Sequence, residues 1–413
     1  MLLNKSRAYE IMDKYKLDAL LAVTPRNIYY LTDFSGFNNR TQRSFYEYAL
    51  LPRNENAPAA YVTTAVELPR LNDFPTWVPN IQTYTHPISL SNRDYDSLTE
   101  DPEAGMPINW PIRKQRNLPE RERQWLELKK KFGEKISASP LLALKKAIKD
   151  ASLEKARIGS DDPRVILWLK EVGIESIEGI EATNIFREIR MVKSPDEIKL
   201  LTEAAKINEQ AMQAAIDSVD EGVEWNEIES NFFKKMANLG GQGIYITAGP
   251  GGLPHNSIVP GKPIMLDSLG TYKLYHGDIG RTVIVGEPSK EILKRNRAMM
   301  AGWEKAIEII KPGLTGTKLT TEVLEVMDSK GFPGFIIVTP HSIGLEHTDH
   351  PMPIGFEMPG SKGDFVFLEN MVVNVDMPYH EYAWGSMHLE DTLVITSDGC
   401  RAITSEKTEI VIK

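Results

Sequence analysis

The last third of the chain carries five side chains of the types that bind divalent metal ions, and they are Asp267, Asp278, His341, Asp376 and Glu390. Seven of the eight histidines also fall between residues 255 and 388. If the four carboxylates converge in the fold, they will repel one another, because like charges a few ångströms apart cannot all stay ionised without a compensating cation. The pattern therefore predicts a site for two divalent cations.

The types of the donor atoms indicate which ions would fit. Four carboxylates and one imidazole favour Mn²⁺, Fe²⁺, Co²⁺ or Zn²⁺ over a zinc site built from thiolates. Bridging carboxylates would hold two such ions about 3.5 Å apart, and ions at that spacing turn water into a hydroxide nucleophile. The alternative for Asp267 and Asp278 is a pair of aspartates that cap turns, and the alternative for a lone His341 is a structural histidine.

Short apolar segments lie beside each candidate ligand and predict the strands that position it. Asp267 ends the predicted strand 263–267 and Asp278 precedes the predicted strand 281–285, with ten residues between the two aspartates. A hairpin of that length would bring both carboxylates to one end of a sheet. A carboxylate buried there is costly unless it is paired or holds a metal ion.

The other three candidates follow the same pattern. His341 comes after the predicted strand 334–338, and Asp376 closes the predicted strand 371–376. In the predicted strand 387–395, the two-residue period puts His388 and Glu390 on one face. We therefore expect His388 to stand beside any ion that Glu390 binds.

The rest of the C-terminal half reads as helices that alternate with these strands. Ser194-Pro195-Asp196-Glu197 is a strong helix start, with serine at the N-cap, proline at the first helical position and glutamate two residues later. That helix runs to residue 216, and further helices are predicted at 224–238, 289–310 and 317–329. With another strand at 243–247, the pattern is typical of an α+β domain.

The N-terminal half has a different organisation. Helices are predicted at 5–16, 119–132 and 163–171, and strands at 17–23, 46–51, 59–62 and 156–159. Their alternation predicts an α/β domain, with the boundary near residue 190, so that the domains are 1–190 and 191–413. Residues 85–117, which include Trp110, are rich in Pro, Asp, Asn and Ser, and form either a surface loop or a lid or interface element.

Length and charge narrow the class of protein. A chain of 413 residues favours two domains. A net charge of −9 argues against nucleic acid and against anionic membrane as partners. The one cysteine, Cys400, fits a reducing compartment, and no apolar run approaches the roughly 20 residues that span a bilayer. We therefore expect a soluble, cytoplasmic protein.

Several motifs resemble those of the pita-bread metallopeptidases, which include prolidase, aminopeptidase P and methionine aminopeptidase, and of their relative creatinase. The C-terminal motifs are Met265-Leu266-Asp267 with Gly277-Asp278-Ile279-Gly280-Arg281-Thr282, His341-Ser342-Ile343-Gly344-Leu345, and Glu390-Asp391-Thr392. The N-terminal motifs are Leu17-Asp18-Ala19-Leu20-Leu21, Asn27-Ile28-Tyr29-Tyr30-Leu31-Thr32 and Arg190-Met191-Val192-Lys193-Ser194. The resemblance implies an α/β N-terminal creatinase-like domain and an α+β C-terminal pita-bread domain.

The resemblance also assigns roles to four further histidines. His255 resembles the histidine that contacts substrate and helps proton transfer at the scissile nitrogen, and its alternative is a core histidine in a glycine-rich turn. His347 and His350 lie near the second histidine of the family, although that position itself holds Thr348. Either histidine could substitute for it, or neither. His388 stands where many relatives carry arginine, beside the candidate metal ligands.

Three departures from the pattern bear on substrate choice and on metal binding. Asp376 replaces the usual glutamate with a side chain one methylene shorter. Pro340 and Ser342 replace glycines around His341, and the His-Ser pair is closer to creatinase. His388 is the third departure. Because creatinase-like enzymes lose the two aspartates, the presence of both here favours metal dependence.

The leading hypothesis is thus a metal-dependent hydrolase that cleaves an amide bond in a small substrate, by resemblance an Xaa-Pro dipeptidase or aminopeptidase. Alternatives are a non-peptidase on the same fold, either a creatinase-like C–N hydrolase or a dimethylsulfoniopropionate-lyase-like enzyme, and a binding protein that has lost activity. The resemblance further implies a homodimer, in which Phe34 to Arg43 or the loop around Trp110 lines a pocket across the interface. His276 and His380 we interpret as ordinary turn residues.

Overall fold

A computed structural model describes residues 1–85, 117–132, 136–249, 257–351, 364–405 and 409–413 of the chain. The predictions for His255 and for the loop around Trp110 lie outside these residues. Contacts between Cα atoms divide the chain into two compact units, Met1–Ile189 and Arg190–Lys413. In the described residues, no helix has the length and apolar character needed to cross a membrane.

The first unit is built around one mixed sheet. Its strands are β1 (Ala19–Ala22), β2 (Tyr48–Pro52), β3 (Ala60–Thr64), β4 (Asn80–Tyr84), β5 (Arg157–Ser160) and β6 (Glu178–Glu181). Its helices are α1 (Lys5–Tyr15), α2 (Pro25–Thr32), α3 (Phe37–Arg40), α4 (Leu68–Asp73), α5 (Glu120–Phe132), α6 (Pro140–Asp150), α7 (Arg164–Glu171) and α8 (Thr183–Met191). The strand order is β4-β3-β2-β1-β5-β6.

The arrangement of this sheet follows from its pattern of burial. Every residue of β1, β2 and β3 is buried, as expected for strands with both faces covered. Strand β1 pairs in parallel with β5, and β5 with β6, and helices supply the crossover connections that parallel pairs require. The predicted α/β class of this half is confirmed.

The second unit combines a larger sheet with four helices. Its helices are α9 (Pro195–Asp217), α10 (Trp225–Asn238), α11 (Lys290–Ile309) and α12 (Gly316–Ser329). Its strands are β7 (Gln242–Thr247), β8 (Ile264–Tyr272), β9 (Tyr275–Ile284), β10 (Thr339–Ser342), β11 (Val372–Glu381), β12 (Gly385–Ile395), β13 (Cys400–Ala402) and β14 (Val411–Ile412). The strand path is β10-β11-β12-β9-β8-β7, with β13 beside β12 and β14 beside β9.

Helix α9 begins where the sequence predicts. The Ser194 side chain accepts a hydrogen bond from the backbone N–H of Glu197, and the Glu197 carboxylate accepts one from the backbone N–H of Ser194. This capping box satisfies two of the donors that a helix start leaves free. Helices α9 and α10 share an apolar core with the middle of β8 and β9, and α11 and α12 share another with β11 and β12.

Some predictions about the second unit are wrong in detail. Residues 334–338 form no strand, and the strand there is β10, which contains His341 itself. Strands β8 and β9 meet in a tight turn at Lys273 and Leu274, so they are much longer than predicted. His276 and His380 are strand residues rather than turn residues, in β9 and β11 respectively.

Candidate metal centre

Strand register aligns three of the candidate ligands in one row across the sheet. Asp376 of β11 pairs with Glu390 of β12, Glu390 pairs with Gly280 of β9, and Gly280 pairs with Asp267 of β8. Directly paired residues project their side chains to the same face of a sheet. The three carboxylates therefore share one face, and Gly280 leaves a gap between two of them.

The remaining two candidate ligands lie next to this row. Asp278 is two residues before Gly280 on β9, which puts it on the same face. His341 pairs with Asn374 on β11, two residues before Asp376. The His341 Nε2 atom lies 3.4 Å from Glu390 Oε1 and 4.0 Å from Asp278 Oδ2. The fold thus brings all five candidate ligands together.

The two aspartates reach this place differently from the sequence prediction. Asp267 and Asp278 lie within β8 and β9 rather than at strand ends, because the hairpin turn falls several residues beyond each. Their proximity comes from the cross-strand register, in which Asp278 pairs with Leu269 and Asp267 with Gly280.

Three overlapping groups of side chains in this cluster could each hold a metal ion. In each group, one ligand atom from every residue lies within 4.8 Å of the others. The groups are Asp278 with His341 and His347, Asp267 with His388 and Glu390, and His341 with Asp376 and Glu390. All five residues proposed as ligands from the sequence belong to at least one group.

Of the two histidines that follow His341, the structure places His347 in the cluster. The His347 Nε2 atom lies 2.9 Å from Asp278 Oδ2, and its ring centroid lies 4.9 Å from that of His341. His350 lies beyond, where its Nδ1 accepts a hydrogen bond of 3.3 Å from the backbone N–H of Ser342. The sequence left the choice between these histidines open.

His388 stands beside the row, as the strand alternation predicts. Its Nε2 lies 2.6 Å from Asp376 Oδ1, at hydrogen-bond distance, and 3.6 Å from Glu390 Oε2. Its backbone N–H donates to the Thr282 hydroxyl at 2.8 Å, and that hydroxyl donates to the His388 carbonyl at 3.0 Å. The side chain is 1% exposed, so its orientation is fixed from several sides.

Because the carboxylates of this cluster are largely buried, keeping them ionised costs free energy unless a cation lies among them. Burial raises the pKa of Asp267 to about 7, against the opposing charge of His388. Burial and the charge of Asp278 also raise the pKa of Glu390 well above its ordinary value. Within the part of the chain that the structure describes, Asp267 Oδ1 and Asp278 Oδ1 are buried and lack a hydrogen-bond partner. Carboxylate oxygens in that situation fit a bound divalent cation.

The histidines of the cluster fall into two electrostatic classes. Burial lowers the pKa of His341, which favours the neutral imidazole that binds metal ions. Burial also opposes protonation of His388 and of His347. For these two, however, the hydrogen bonds to Asp376 and Asp278 prevail and raise the pKa of each ring.

The sequence analysis missed several residues that support the ligands. The Asn374 amide donates to Glu390 Oε1 at 2.8 Å, and its position two residues before Asp376 was the available signal. Arg281 donates to Asp391 Oδ1 at 2.7 Å and to the Glu390 carbonyl at 2.8 Å. These contacts fix the backbone and the carboxylate of Glu390.

A buried ion network that was also missed anchors the segment carrying His347. Asp349 is fully buried, and Arg190 and Lys193 donate to its carboxylate at 2.7 Å and 3.1 Å. The Lys193 ammonium also donates to the Arg190 carbonyl at 2.6 Å. No local pattern could reveal this network, because more than 150 residues separate Asp349 from its partners.

Comparison with known proteins gives a consistent result. Residues 199–397, which include all five candidate ligands, match the model of metallopeptidase family M24. An Xaa-Pro dipeptidase from Pyrococcus furiosus is 25% identical over 239 residues, which are 55% of this chain and 67% of that protein. The resemblance inferred from the motifs is confirmed.

Solved structures share the fold over nearly the whole chain. A structure described as an Xaa-Pro dipeptidase from Bacillus anthracis superposes with a TM-score of 0.70 at 20% identity, covering 99% of this chain and 98% of that one. An X-Pro aminopeptidase from Thermotoga maritima gives a TM-score of 0.69 at 19% identity, covering 98% and 100%. The predicted two-domain fold is confirmed, and residues 199–397 of the chain form a domain of metallopeptidase family M24.

Proposed function

We propose that this chain is an Xaa-Pro dipeptidase or aminopeptidase. The family membership supports peptide hydrolysis, and the relatives that carry Xaa-Pro names support the substrate class. One observation carries the proposal: five candidate ligands meet on one face of the sheet, with Asp267 Oδ1 and Asp278 Oδ1 buried and lacking partners among the described residues. The matches reported above are peptidases and do not favour a creatinase-like or lyase activity.

We propose two divalent ions in this site, with Mn²⁺ as the first candidate and Fe²⁺, Co²⁺ or Zn²⁺ as the others. The residues that would hold them are Asp267, Asp278, His341, Asp376 and Glu390. Such a pair of ions activates water and polarises the scissile carbonyl. The buried carboxylates of Asp267 and Asp278 each have an oxygen without a hydrogen-bond partner in the described residues, and a bound cation would supply the missing partner. This supports the proposed metal ions.

The residues around the ions have their own tasks in this proposal. The Asn374 amide orients Glu390 through Oε1, and the other oxygen, Oε2, lies 3.6 Å from His388 Nε2, where it can bind an ion or a proton. His388 is held by Asp376 and faces the row, where it can contact the substrate and donate a proton to the leaving nitrogen. On the resemblance alone, we assign to His255 substrate contact and help in the same proton transfer, and we assign substrate contact to His350, or to His347 if that ring does not bind a metal ion.

Hydrolysis assays test the proposed substrate class. The purified protein, loaded with Mn²⁺, is given Gly-Pro and Ala-Pro, with Gly-Ala as the matched dipeptide that lacks proline. We expect cleavage of the two proline peptides, loss of cleavage after chelation, and loss in the D267N variant. A metal-loaded protein that leaves every Xaa-Pro peptide intact would contradict the proposal and favour a non-peptidase activity.

We further propose that the chain works in the cytoplasm as a homodimer, with an N-terminal domain at 1–190 and a catalytic domain at 191–413. The family resemblance supports these assignments. For the dimer, Phe37 in the proposed interface segment adds support, because this residue is 56% exposed, with the Arg43 guanidinium 5.6 Å from its ring. Light scattering during gel filtration tests the dimer. A mass of one chain at micromolar concentration would contradict it.

A further inference from the structure

His347 combines a partly exposed side chain with a contact to a buried carboxylate of the candidate metal centre. It lies on the segment after β10, and its side chain is 44% exposed while its Nε2 lies 2.9 Å from the buried Asp278 carboxylate. A ring in that position bridges the surface and the interior of the site. Its place beside His341 gives the cluster a second imidazole on the same side.

We propose that His347 is a direct ligand to one of the metal ions, which would then be held by Asp278, His341 and His347. This inference rests on the proposed metal site and deepens it, because it adds a nitrogen donor to the set drawn from the sequence. The ion with two imidazoles would differ in chemistry from its neighbour, which would have mostly oxygen donors.

Distances between the donor atoms support a shared ion. Nitrogen and oxygen donors bind zinc-like ions at about 2.0–2.2 Å, so two donors on one ion stand about 3–4 Å apart. His347 Nε2 and His341 Nε2 lie 2.9 Å and 4.0 Å from the same atom, Asp278 Oδ2. The three donor atoms all lie within 4.8 Å of one another.

A buried oxygen of Asp278 that lacks a hydrogen-bond partner among the described residues also supports an ion between Asp278, His341 and His347. Asp278 is 1% exposed, and its Oδ1 has no hydrogen-bond partner in the described ranges. An ion pair with His347 alone would engage one oxygen and leave the other buried without a partner, which is costly. The Nε2 atom of His341 is the ring nitrogen that faces the carboxylates, at 4.0 Å from Asp278 Oδ2 and 3.4 Å from Glu390 Oε1.

The backbone that carries His347 is held rigidly enough to supply a ligand. Asp349, two residues later, is fixed by Arg190 and Lys193, and its backbone N–H donates to the Ser342 carbonyl at 2.7 Å. Gly344 approaches the same carboxylate so closely that a Cβ there would lie 2.1 Å from Asp349 Oδ2. Metal sites need ligands that their surroundings lock in place.

Metal binding without substrate tests this inference independently of peptidase activity. Metal-free wild-type protein and the H347A variant are titrated with Co²⁺ by calorimetry, with H380A as the matched control, since His380 is an exposed residue of β11 in no candidate ligand group. We expect H347A to bind one of two ions at least about 100-fold more weakly, because loss of even an outer partner of a ligand costs about 10–100-fold. H380A should bind both ions as the wild type does.

A second variant gives a spectroscopic signature of direct binding. H347C loaded with Co²⁺ should gain a thiolate-to-cobalt charge-transfer band in the near ultraviolet, which H380C should lack. Cys400 is common to both variants and to the wild type, so its contribution cancels.

The outcomes separate this inference from the proposed function. H347A that binds both ions with wild-type affinity, together with H347C that shows no new band, would overturn the role of His347 and leave the peptidase proposal standing. A wild-type protein that binds two ions but cleaves no Xaa-Pro peptide would overturn the proposed function alone.

Discussion

The imidazole of His388 occupies the space that residue 280 leaves open by having no side chain. A Cβ built on Gly280 would lie 2.4 Å from His388 Nδ1 and 2.5 Å from its Cε1. Gly280 also stands between Glu390 and Asp267 in the row across the sheet. The glycine therefore lets a histidine enter the carboxylate cluster from a neighbouring strand.

Alanine at position 280 should expel this histidine. The His388 side chain is 1% exposed and its ring is hydrogen-bonded to Asp376, so G280A must shift either this side chain or the strand. We expect a loss of about 1–3 kcal/mol in the free energy of unfolding, the usual cost of overpacking, and a weaker affinity for metal. Urea unfolding measures the first effect and metal titration the second.

Gly334 supplies the control for this variant, because the nearest atom to a Cβ there is the Tyr379 hydroxyl at 3.9 Å. G334A should leave metal affinity unchanged. If G280A binds metal and unfolds as the wild type does, His388 is not held in the way described.

Neutralising Asp349 should destabilise the protein strongly. Burial opposes ionisation of this group, but the charges of Arg190 and Lys193 hold its pKa well below the usual range. D349N removes the buried carboxylate charge that Arg190 and Lys193 share, and breaking a buried ion pair in this way costs about 3–5 kcal/mol. Chemical unfolding at pH 7 measures the change.

Glu346 offers the comparison, because it also contacts Arg190, at 3.1 Å, but its side chain is 18% exposed. E346Q should cost less than about 1 kcal/mol, as expected of pairs near the surface. Equal effects of D349N and E346Q would argue against a special role for the buried network.

Metal-free protein should lose stability as the pH rises through neutrality. Asp267 has its pKa raised from 3.8 to about 7 by burial, so the fold favours its neutral form. A raised pKa contributes stability that is complete below the unfolded value and is lost as the pH rises through the folded value. In chelator, the melting temperature should therefore fall between pH 5.5 and pH 8 by more for the wild type than for D267N.

Added Mn²⁺ should abolish most of this fall, because a ligand that binds only the folded state stabilises it by about 2.7 kcal/mol at 100 times its Kd. A metal-free melting temperature that does not change over this pH range would contradict the electrostatic description of the cluster.

Glu47 of the first unit provides a pH effect that is independent of metal. Burial raises its pKa from 4.5 to about 7, and the nearby charge of Glu67 adds to the shift. Its ionisation in the folded state should therefore lower the free energy of unfolding by roughly 3 kcal/mol between pH 4.5 and pH 8. E47Q, which cannot ionise, should be less sensitive to pH over that window.

Thermal unfolding of E47Q at several pH values checks this expectation, with E55Q as the control, because the Glu55 side chain is 63% exposed. If E47Q and E55Q follow the same pH dependence as the wild type, Glu47 does not carry a raised pKa.

Apolar runs and helix caps predicted most of the elements correctly. The capping box at Ser194 marks the start of α9, and the buried run in β1 marks the centre of the first sheet. These signals are local, so they can be read from neighbouring residues.

The strands of the β8–β9 hairpin were predicted too short because glycines interrupt their apolar pattern. A Cβ on Gly277 would lie 2.4 Å from the Ala204 carbonyl oxygen, and one on Gly270 would lie 2.2 Å from Met236 Cε. The helices contact the strand backbone at these points, so small residues replace the apolar side chains that predict a strand. Conversely, Ile336 is 76% exposed, and its apolar run suggested a strand that does not form.

Residue type and spacing led to the prediction of five ligands, which the structure brings together, but they gave no sign of the residues that support them. The choice of His347 over His350 depends on how the segment after β10 folds over Asp278, and that path is set by Asp349 and its distant partners. Contacts across 150 residues or more leave no periodic trace in the sequence.

Anomalous scattering from crystals of the Mn²⁺-loaded protein tests the central claim most directly. We predict two manganese peaks enclosed by the carboxylates of Asp267, Asp278, Asp376 and Glu390. Crystals that show no anomalous peak within bonding distance of these side chains would contradict the account of the cluster as a dinuclear metal centre.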